Sequence, residues 1–559
     1  MKLYSLTDFP DDAIVPFTPE MVDSLVSQLA DTGVTRMINY FYDYGFLFHT
    51  DSAHWETQRK TAEQMPDFER VIASTAKKYG LEAASVVKIQ EQGIWTVDAP
   101  YGDSKIERGL DHIGGKICGI SDFVLQHPEL RIKRRSYDLD PDAINKTVTA
   151  IKLYKQNDAS IRFSKKDITI YTSPDNTYYK PYTGDFTLTE SIETAAESTV
   201  LSKTVPDYDT ELLTLKGAPI RVLTIGGLSI TDRYIAVGVK CEGECDPLTR
   251  FYNTPCRGIA IFDENGDKIA ATPGGTKRAN SFRKPHIEAG FCFDDGFGVY
   301  QALELDPSEG EGYFAIAKGK NEYVHGALCE CEPAVKEYWL RLYEAAMDAG
   351  YDIIGTRIEG HSNHVDEPFA YGYNDCIKAE YFRRYGNCSE EEMELDKIAK
   401  IRGDAYTEVL IEAAKRVRAR GKKFILTLNI EMLHDSIPLD RRYAYPMNVE
   451  WQWERWIEEI KPDEINFRMY YNSVKFLLSD LQCIKMLEMA KEQGVPLTVE
   501  RYVYFDFLSE YKQLRDTGLF DAMTMYETAA LLRGSEDGSV LPYRFGVNLL
   551  PEMKKIMKK

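Results

Sequence analysis

GYDIIGTRIEGHSNHVDEPFAYGYN, residues Gly350 to Asn374, carries a fold signal and a chemical signal in one stretch. A helical segment ends at Asp348-Ala349-Gly350, and the apolar run Ile353-Ile354-Gly355-Thr356 follows at once, which reads as helix, left-handed glycine stop and buried strand. Side chains alternate faces along a strand, so Gly355, Arg357, Glu359 and His361 are expected on one side of it. A guanidinium, a carboxylate and an imidazole then converge where the strand ends. Asn363, His364, Asp366 and Glu367 follow directly.

Outward from this stretch the same order recurs. Downstream, strands are expected at Lys423 to Glu431, Glu464 to Tyr470, Pro496 to Tyr502 and Phe520 to Tyr526, separated by helices such as Ala405 to Arg420 and Val474 to Gln493. Upstream, Thr18-Pro19-Glu20 caps a helix whose apolar positions are Val22, Leu25, Val26 and Leu29, and which stops at Gly33 before the strand Val34 to Tyr42. A helix over Thr57 to Tyr79 ends at Gly80 before the strand Ala83 to Ile89. With a short strand near Val324 these make eight βα units, and the fold expected is an α/β (β/α)8 TIM barrel with its active site at the C-terminal strand ends.

The alternation breaks between about Tyr137 and Phe293, where short strand-like segments follow one another: Ser160 to Phe163, Ile168 to Tyr171, Phe186 to Thr189, Ile220 to Thr224, Tyr234 to Lys240 and Gly258 to Phe262. Asn265-Gly266 marks a hairpin turn after the last. This pattern predicts a β-sandwich over residues 136–310, inserted after the second barrel strand. Residues 1–135 then hold strands one and two, and residues 311–559 hold strands three to eight, with the series resuming at Tyr313 to Ala317.

Composition narrows the function. A chain of 559 residues with 43% hydrophobic content has a sizeable core, and its formal charge of −20 opposes binding to nucleic acid or to an anionic membrane. The basic run Arg131 to Arg135 is short and flanked by Asp138, Asp140 and Asp142. The first residues, MKLYSLTDFPDD, contain no apolar run after a basic start, which predicts a cytoplasmic protein, or a secreted one if a leader had been trimmed. The ten cysteines form no paired CxxC motifs; Cys241/Cys245 and Cys329/Cys331 are the close pairs, and reduced buried thiols are expected.

Strand parity points to the chemistry. Thr427, Asn429 and Glu431 share one face opposite Leu426, Leu428 and Ile430; Asn466, Arg468 and Tyr470 oppose Ile465, Phe467 and Met469; Thr498 and Glu500 oppose Leu497 and Val499. Three strands thus send Glu359, Glu431 and Glu500 to one mouth, with Tyr526 directed inward and Glu527 just beyond it. Grouped carboxylates are what glycoside hydrolysis needs, one protonating the leaving oxygen and one attacking the anomeric carbon or activating water. Arg357, His361, Asn429, Arg468, Tyr470, Tyr526 and Glu527 are the expected substrate-binding residues, and Trp95, Phe369, Tyr371, Tyr373, Trp451 and Trp453 the loop aromatics.

HPEL (His127 to Leu130), CEPAVKEYWLRL leading into AGYDIIGTRIEGHS, then YGYN and FRRYG together resemble the family-10-like glycoside hydrolases, bacterial (β/α)8 proteins, over roughly residues 20–135 and 310–530. The resemblance implies an acid/base at the end of strand four and a nucleophile at the end of strand seven, matching Glu359 and Glu500. The large glycosidase clan containing family 10 usually places Asn before the strand-four Glu. Here Ile358 precedes Glu359, while Asn429-Ile430-Glu431 supplies an Asn two residues before a Glu, so Glu431 stays in contest.

The chemistry so read needs no cofactor and no metal, and its partner is a carbohydrate; a homo-oligomer is compatible with the sequence. Two rival readings stand. His361, His364 and Asp366, with His49 and His54, suit a metal-dependent barrel hydrolase or isomerase, and the same carboxylates and aromatics suit a carbohydrate-binding protein without catalysis.

Overall fold

The computed structural model describes the chain apart from residues 10–14, 42–55, 95–117, 156, 159, 161–163, 175–178, 197–198, 201–211, 241–258, 278–291, 294–298, 301–310, 359, 361–367, 435–447, 470–471, 505 and 558–559. Eight parallel strands close into a barrel: β1 (Lys2–Thr7), β2 (Arg36–Phe41), β3 (Glu82–Val87), β4 (Ile353–Thr356), β5 (Lys423–Asn429), β6 (Glu464–Arg468), β7 (Leu497–Tyr502) and β8 (Ala522–Tyr526). They pair in chain order, and β8 closes on β1. The expected α/β TIM barrel is present.

Its strand numbering differs from the sequence reading. The first strand is Lys2–Thr7, whose Tyr4 pairs with Arg36 of β2 on one side and Thr524 of β8 on the other. Six terminal residues with Leu3 facing the helices and Tyr4 and Leu6 facing the barrel interior carry too little apolar pattern to stand out. The segment near Val324 lies outside the barrel: Tyr323–Leu328 pairs antiparallel with Arg131–Lys133. Tyr313 to Ala317 is also misplaced by the sequence, because Glu311–Lys318 pairs antiparallel with Tyr234–Lys240 in a separate sheet. The insertion therefore follows the third strand, and barrel strands resume only at Ile353.

Between β3 and β4 the chain forms two larger antiparallel sheets. One orders Thr187–Thr194, Pro219–Ile230, Val148–Tyr154 and Ile259–Phe262; the other includes Ile168–Ser173, Tyr234–Lys240, Glu311–Lys318 and Ala271–Lys277. Ile151, Leu223 and Ile261 from the first and Ile170, Val237 and Phe314 from the second belong to one apolar cluster. Arg131–Lys133 and Tyr323–Leu328 form the stem by which the chain leaves and returns.

The barrel's outer layer follows from the helical spacing. Thr18 accepts a hydrogen bond from the Met21 N–H at 3.3 Å, Pro19 opens the helix Pro19–Thr32, and Val22, Leu25, Val26 and Leu29 are buried; a cap of this kind contributes about 1 kcal/mol. The helix expected over Thr57 to Tyr79 is two, Glu56–Gln64 and Phe68–Lys78, because Pro66 lacks a donor and clashes with the preceding turn. Gly350, at φ 105°, supplies the left-handed stop before β4. No helix among the described residues is long and apolar enough to cross a membrane.

Candidate active site

At the C-terminal end of the barrel one ladder row crosses three strands: Asn429 of β5 pairs with Arg468 of β6, which pairs with Glu500 of β7. Parallel pairing puts partners on the same face, so all three side chains point inward. Arg468 donates from Nη1 to Glu500 Oε1, Asn466 donates from Nδ2 to Oε2 at 3.1 Å, and Arg357 Nη1 lies 3.7 Å from Oε1. Glu500 is 3% exposed, so burial would make its charge costly unless compensated, and two guanidiniums compensate it.

Aromatic rings hold the guanidiniums in place. The Tyr526 ring has Arg468 at 4.1 Å and Arg357 at 4.9 Å from its centroid, and Tyr502 meets it edge-on at 4.6 Å. Tyr40 of β2 receives Arg357 at 4.8 Å and Lys88 at 4.1 Å. Such contacts are worth about 0.5–2 kcal/mol each, more where water is excluded. Lys88, one residue past β3, is also 3.4 Å from carboxylate oxygens of both Asp8 and Glu91. Tyr504 stacks on Tyr502 with centroids 5.4 Å apart and is 51% exposed.

Of the expected residues, the structure brings together Arg357, Arg468, Glu500 and Tyr526, with Asn429 in the same row. Glu431 is placed differently. Asn429 ends the strand and caps the short helix Ile430–Leu433, its Oδ1 accepting from the Met432 N–H at 3.3 Å, so the alternation stops before Glu431. Glu431 is nevertheless buried, and its Oε1 accepts from the Asn472 N–H at 3.1 Å. Arg501, on the opposite face of β7 from Glu500, donates to the Asn472 and Met469 carbonyls while paired with Glu510, and so fixes this connection. Glu527 is half-buried and left-handed, at φ 62°, just past β8. Glu359, His361, Tyr470 and Trp95 lie outside the described residues, as do His49, His54, His364 and Asp366.

Four of the loop aromatics are core. Tyr371 donates position to Arg134 through a ring contact at 4.5 Å and accepts a hydrogen bond from its Nη2 at 3.0 Å; Tyr373 is buried beside it. Trp451 packs against Tyr406 and Trp456, and Trp453 is buried in the same layer. The aromatics missed at the mouth, Tyr40 and Tyr502, were within reach of parity: Arg36, Ile38 and Tyr40 share a face, as do Thr498, Glu500 and Tyr502. A cavity of about 700 Å³ lined by Phe41, Phe68, Phe123, Tyr338 and Arg341 contains none of the mouth residues.

One group of potential metal ligands adjoins the mouth. His434, Asp480 and Cys483 bring ligand atoms within 4.8 Å of one another. Asp480 Oδ1, however, already takes the His434 Nε2 contact at 2.7 Å and the N–H groups of Gln482 and Cys483, as the cap of the helix Leu481–Glu492. Burial raises the Asp480 carboxyl, and the His434 and backbone hydrogen bonds outweigh it and hold the group below the usual range. The cluster acts as a clamp between the Ile430–Leu433 helix and its neighbour.

These features define an α/β barrel protein with a carboxylate, two guanidiniums and tyrosine rings at the C-terminal ends of its strands. Among solved structures the chain is similar to the catalytic domain of β-amylase from Paenibacillus polymyxa, with TM-score 0.43 and 9% identity over 100% of this chain and 99% of that one. It is also similar to β-galactosidase from the psychrophilic Marinomonas ef1 (TM-score 0.39, 8% identity, 100% of this chain and 59% of that one) and to a rhamnosidase from Novosphingobium sp. PP1Y (0.35, 10%, 94% and 55%). The chain thus spans little more than half of the latter two. No family model and no curated protein matches the sequence. Likeness at these scores carries no weight for activity, which rests on the site itself.

Proposed function

We propose that the protein is a retaining glycoside hydrolase in which Glu500 is the nucleophile and Glu359 the general acid/base. The observation that carries this reading is Glu500 itself, a buried carboxylate at the C-terminal end of β7, gripped by Arg468 and Asn466 with Arg357 at 3.7 Å. A carboxylate so held is oriented before substrate arrives and keeps a compensated charge, both of which a nucleophile requires. In the sequence, Glu359 comes two residues after Arg357, whose guanidinium reaches toward Glu500. In this reading Glu431 binds substrate hydroxyls, and Tyr504 offers a sugar platform.

A panel of aryl glycosides tests it. Glu500→Gln should lower turnover by a factor on the order of 10²–10⁴, and azide should restore cleavage to Glu500→Ala with formation of a glycosyl azide. In a crystal structure of a substrate-analogue complex, the Glu359 and Glu500 carboxyls should stand about 5–5.5 Å apart. Normal turnover of Glu500→Gln on every substrate the chain cleaves would overturn the assignment.

A further inference from the structure

The interior face that carries Arg357 and Glu500 carries further charges just beyond two other strands. Tyr4 and Leu6 of β1 face the barrel interior, as do Ala84 and Val86 of β3. Alternation therefore turns Asp8 and Lys88, each one residue past its strand, to the same interior. Lys88 Nζ lies 3.4 Å from Asp8 Oδ2 and 3.4 Å from Glu91 Oε2, and no side chain of the three is more than 5% exposed.

Neighbours fix this group from outside the barrel. Phe9 meets Phe17 and Phe68 edge-on at 5.2 and 4.8 Å, which anchors the residue after Asp8. The Glu91 N–H donates to the Lys88 carbonyl at 3.2 Å and closes the turn that brings their side chains together. Tyr338, on the helix Pro333–Asp348, donates from its hydroxyl to Gln92 Oε1 at 2.8 Å and ties that turn down. Stability alone does not account for charges in this place. The layer beneath is apolar, with Leu6, Ile38, Val86, Ile353 and Ile425, and apolar replacement of a buried ion pair is often neutral or stabilising.

Given the glycosidase reading above, on which this rests, we propose that Asp8 and Lys88 bind neighbouring hydroxyls of the sugar whose anomeric carbon meets Glu500, and that this sugar is uncharged. The pair belongs to the same mouth: Lys88 and Arg357 stand 4.1 and 4.8 Å from the Tyr40 ring centroid, and Arg357 stands 3.7 Å from Glu500 Oε1. Both carboxylate contacts of Lys88 are longer than the roughly 2.7–2.9 Å of a tight ammonium–carboxylate bond. A hydroxyl donates one hydrogen bond while accepting others, so sugar hydroxyls can serve both partners of so loose a pair. Asp8 accepts from one hydroxyl, Lys88 donates to the next, and Glu91 steadies the ammonium. The uncharged class follows from the pairing. Lys88 faces two carboxylates, and Arg357 and Arg468 face Glu500, so a uronate or sulfate would have to displace an acid from each cation it approached.

Nitrophenyl glycosides test this on the full chain: a panel of neutral glycosides, the glucuronide and galacturonide, and each monodeoxy derivative of the neutral glycoside cleaved fastest. For the unaltered chain, removing a hydroxyl that meets Asp8 or Lys88 should lower kcat/KM about 10- to 100-fold, the worth of one hydrogen bond to a charged group. Asp8→Ala and Lys88→Met should lower kcat/KM on the parent glycoside by a similar factor. Each should then lose little more on the deoxy derivative that lacks its own hydroxyl, while keeping the full penalty at the other positions. Asp8→Glu and Lys88→Arg keep the buried charges and carry the same comparison should the first two variants fail to fold. The two uronides should be cleaved roughly tenfold or more slowly than the best neutral glycoside. If the unaltered chain cleaved no member of the panel, the glycosidase reading would fall and this subsite with it. Variant losses equal across all the deoxy derivatives, or a uronide preferred to every neutral glycoside, would overturn the subsite and leave that reading standing.

Discussion

Each end of the barrel buries an arginine–glutamate pair beneath a tyrosine ring, and the two pairs are built in opposite proportions. At the N-terminal end Arg36 donates from Nη1 to both oxygens of Glu464 at 2.8 Å and from Nε to Glu82 at 2.9 Å, with the Tyr4 ring 4.0 Å away. One guanidinium there serves two carboxylates, and Thr498 takes a further place on Glu464. At the C-terminal end two guanidiniums face the single carboxylate of Glu500. Burial does not distinguish Arg36–Glu464 from Arg468–Glu500, since both pairs are nearly inaccessible, whereas Glu82 is partly exposed. What differs is what the pairing leaves over: the lower end closes on itself as a plug, whereas the upper holds one carboxylate in a fixed orientation at the end of the barrel where the βα connections gather.

The most forceful way to break the comparison is to neutralise one glutamate at each end. Glu500→Gln should lower turnover by a factor on the order of 10²–10⁴, and Glu464→Gln should leave the turnover of the folded enzyme nearly unchanged. Equal losses would mean that both ends serve only to hold the barrel together. Removing the cations sharpens the contrast through stability. Arg36→Met strands Glu464 in the core, where breaking a buried pair costs about 3–5 kcal/mol. Arg468→Met should cost less, because Arg357 still stands 3.7 Å from Glu500. Urea unfolding of the two variants, compared at equal m-values, checks the order.

How much of this was legible in the sequence depended on where each residue sat in its strand. Parity assigned Arg357, Arg468 and Glu500 to one interior because β6 and β7 alternate polar with aliphatic residues, and the barrel interior preserves that period. It failed at Glu431, where Asn429 stops being a strand residue and becomes a helix cap, a change of period that only the local hydrogen bond reveals. β1 went unseen because its six residues owe their place to neighbours on both sides, and that error shifted the insert by one strand. The loop aromatics misled for a related reason. Tyr371 is polar at its hydroxyl and apolar elsewhere, so Arg134 can draw it into a core as readily as a sugar could draw it to a surface. The partnership of Glu464 with Arg36 spans 428 residues and leaves no local trace.

A smaller effect separates orientation from binding at the upper end. Tyr504 is exposed and stacked on Tyr502, so Tyr504→Ala should raise KM by roughly two- to tenfold, the equivalent of about 0.5–1.5 kcal/mol of aromatic contact, while leaving kcat largely intact. Steady-state kinetics on the best substrate would read this directly, and a fall in kcat alone would place Tyr504 with the groups that orient Glu500.

The smallest effect, and the finest probe of the two ends, is their response to pH. Burial drives the Glu464 carboxyl above its ordinary value, against the pull of Arg36, so its folded form holds the proton more tightly than its unfolded form. The associated stability is fully present below about pH 4.5 and is lost as pH rises through the folded value. Glu464→Gln should therefore gain stability relative to the unaltered chain as pH is raised. Asp480, which clamps the helix of Glu431 through His434, is shifted the other way: its folded carboxyl lies below 3.8 because the His434 and backbone hydrogen bonds outweigh burial. Its contribution is present above pH 3.8 and is lost as pH falls through the folded value, so the deficit of Asp480→Asn should narrow in acid. Denaturant unfolding of both variants across acid and neutral pH should give two difference curves of opposite slope. If the slopes shared a sign, the plug and the mouth would respond alike to protons, and the contrast between them would rest on catalysis alone.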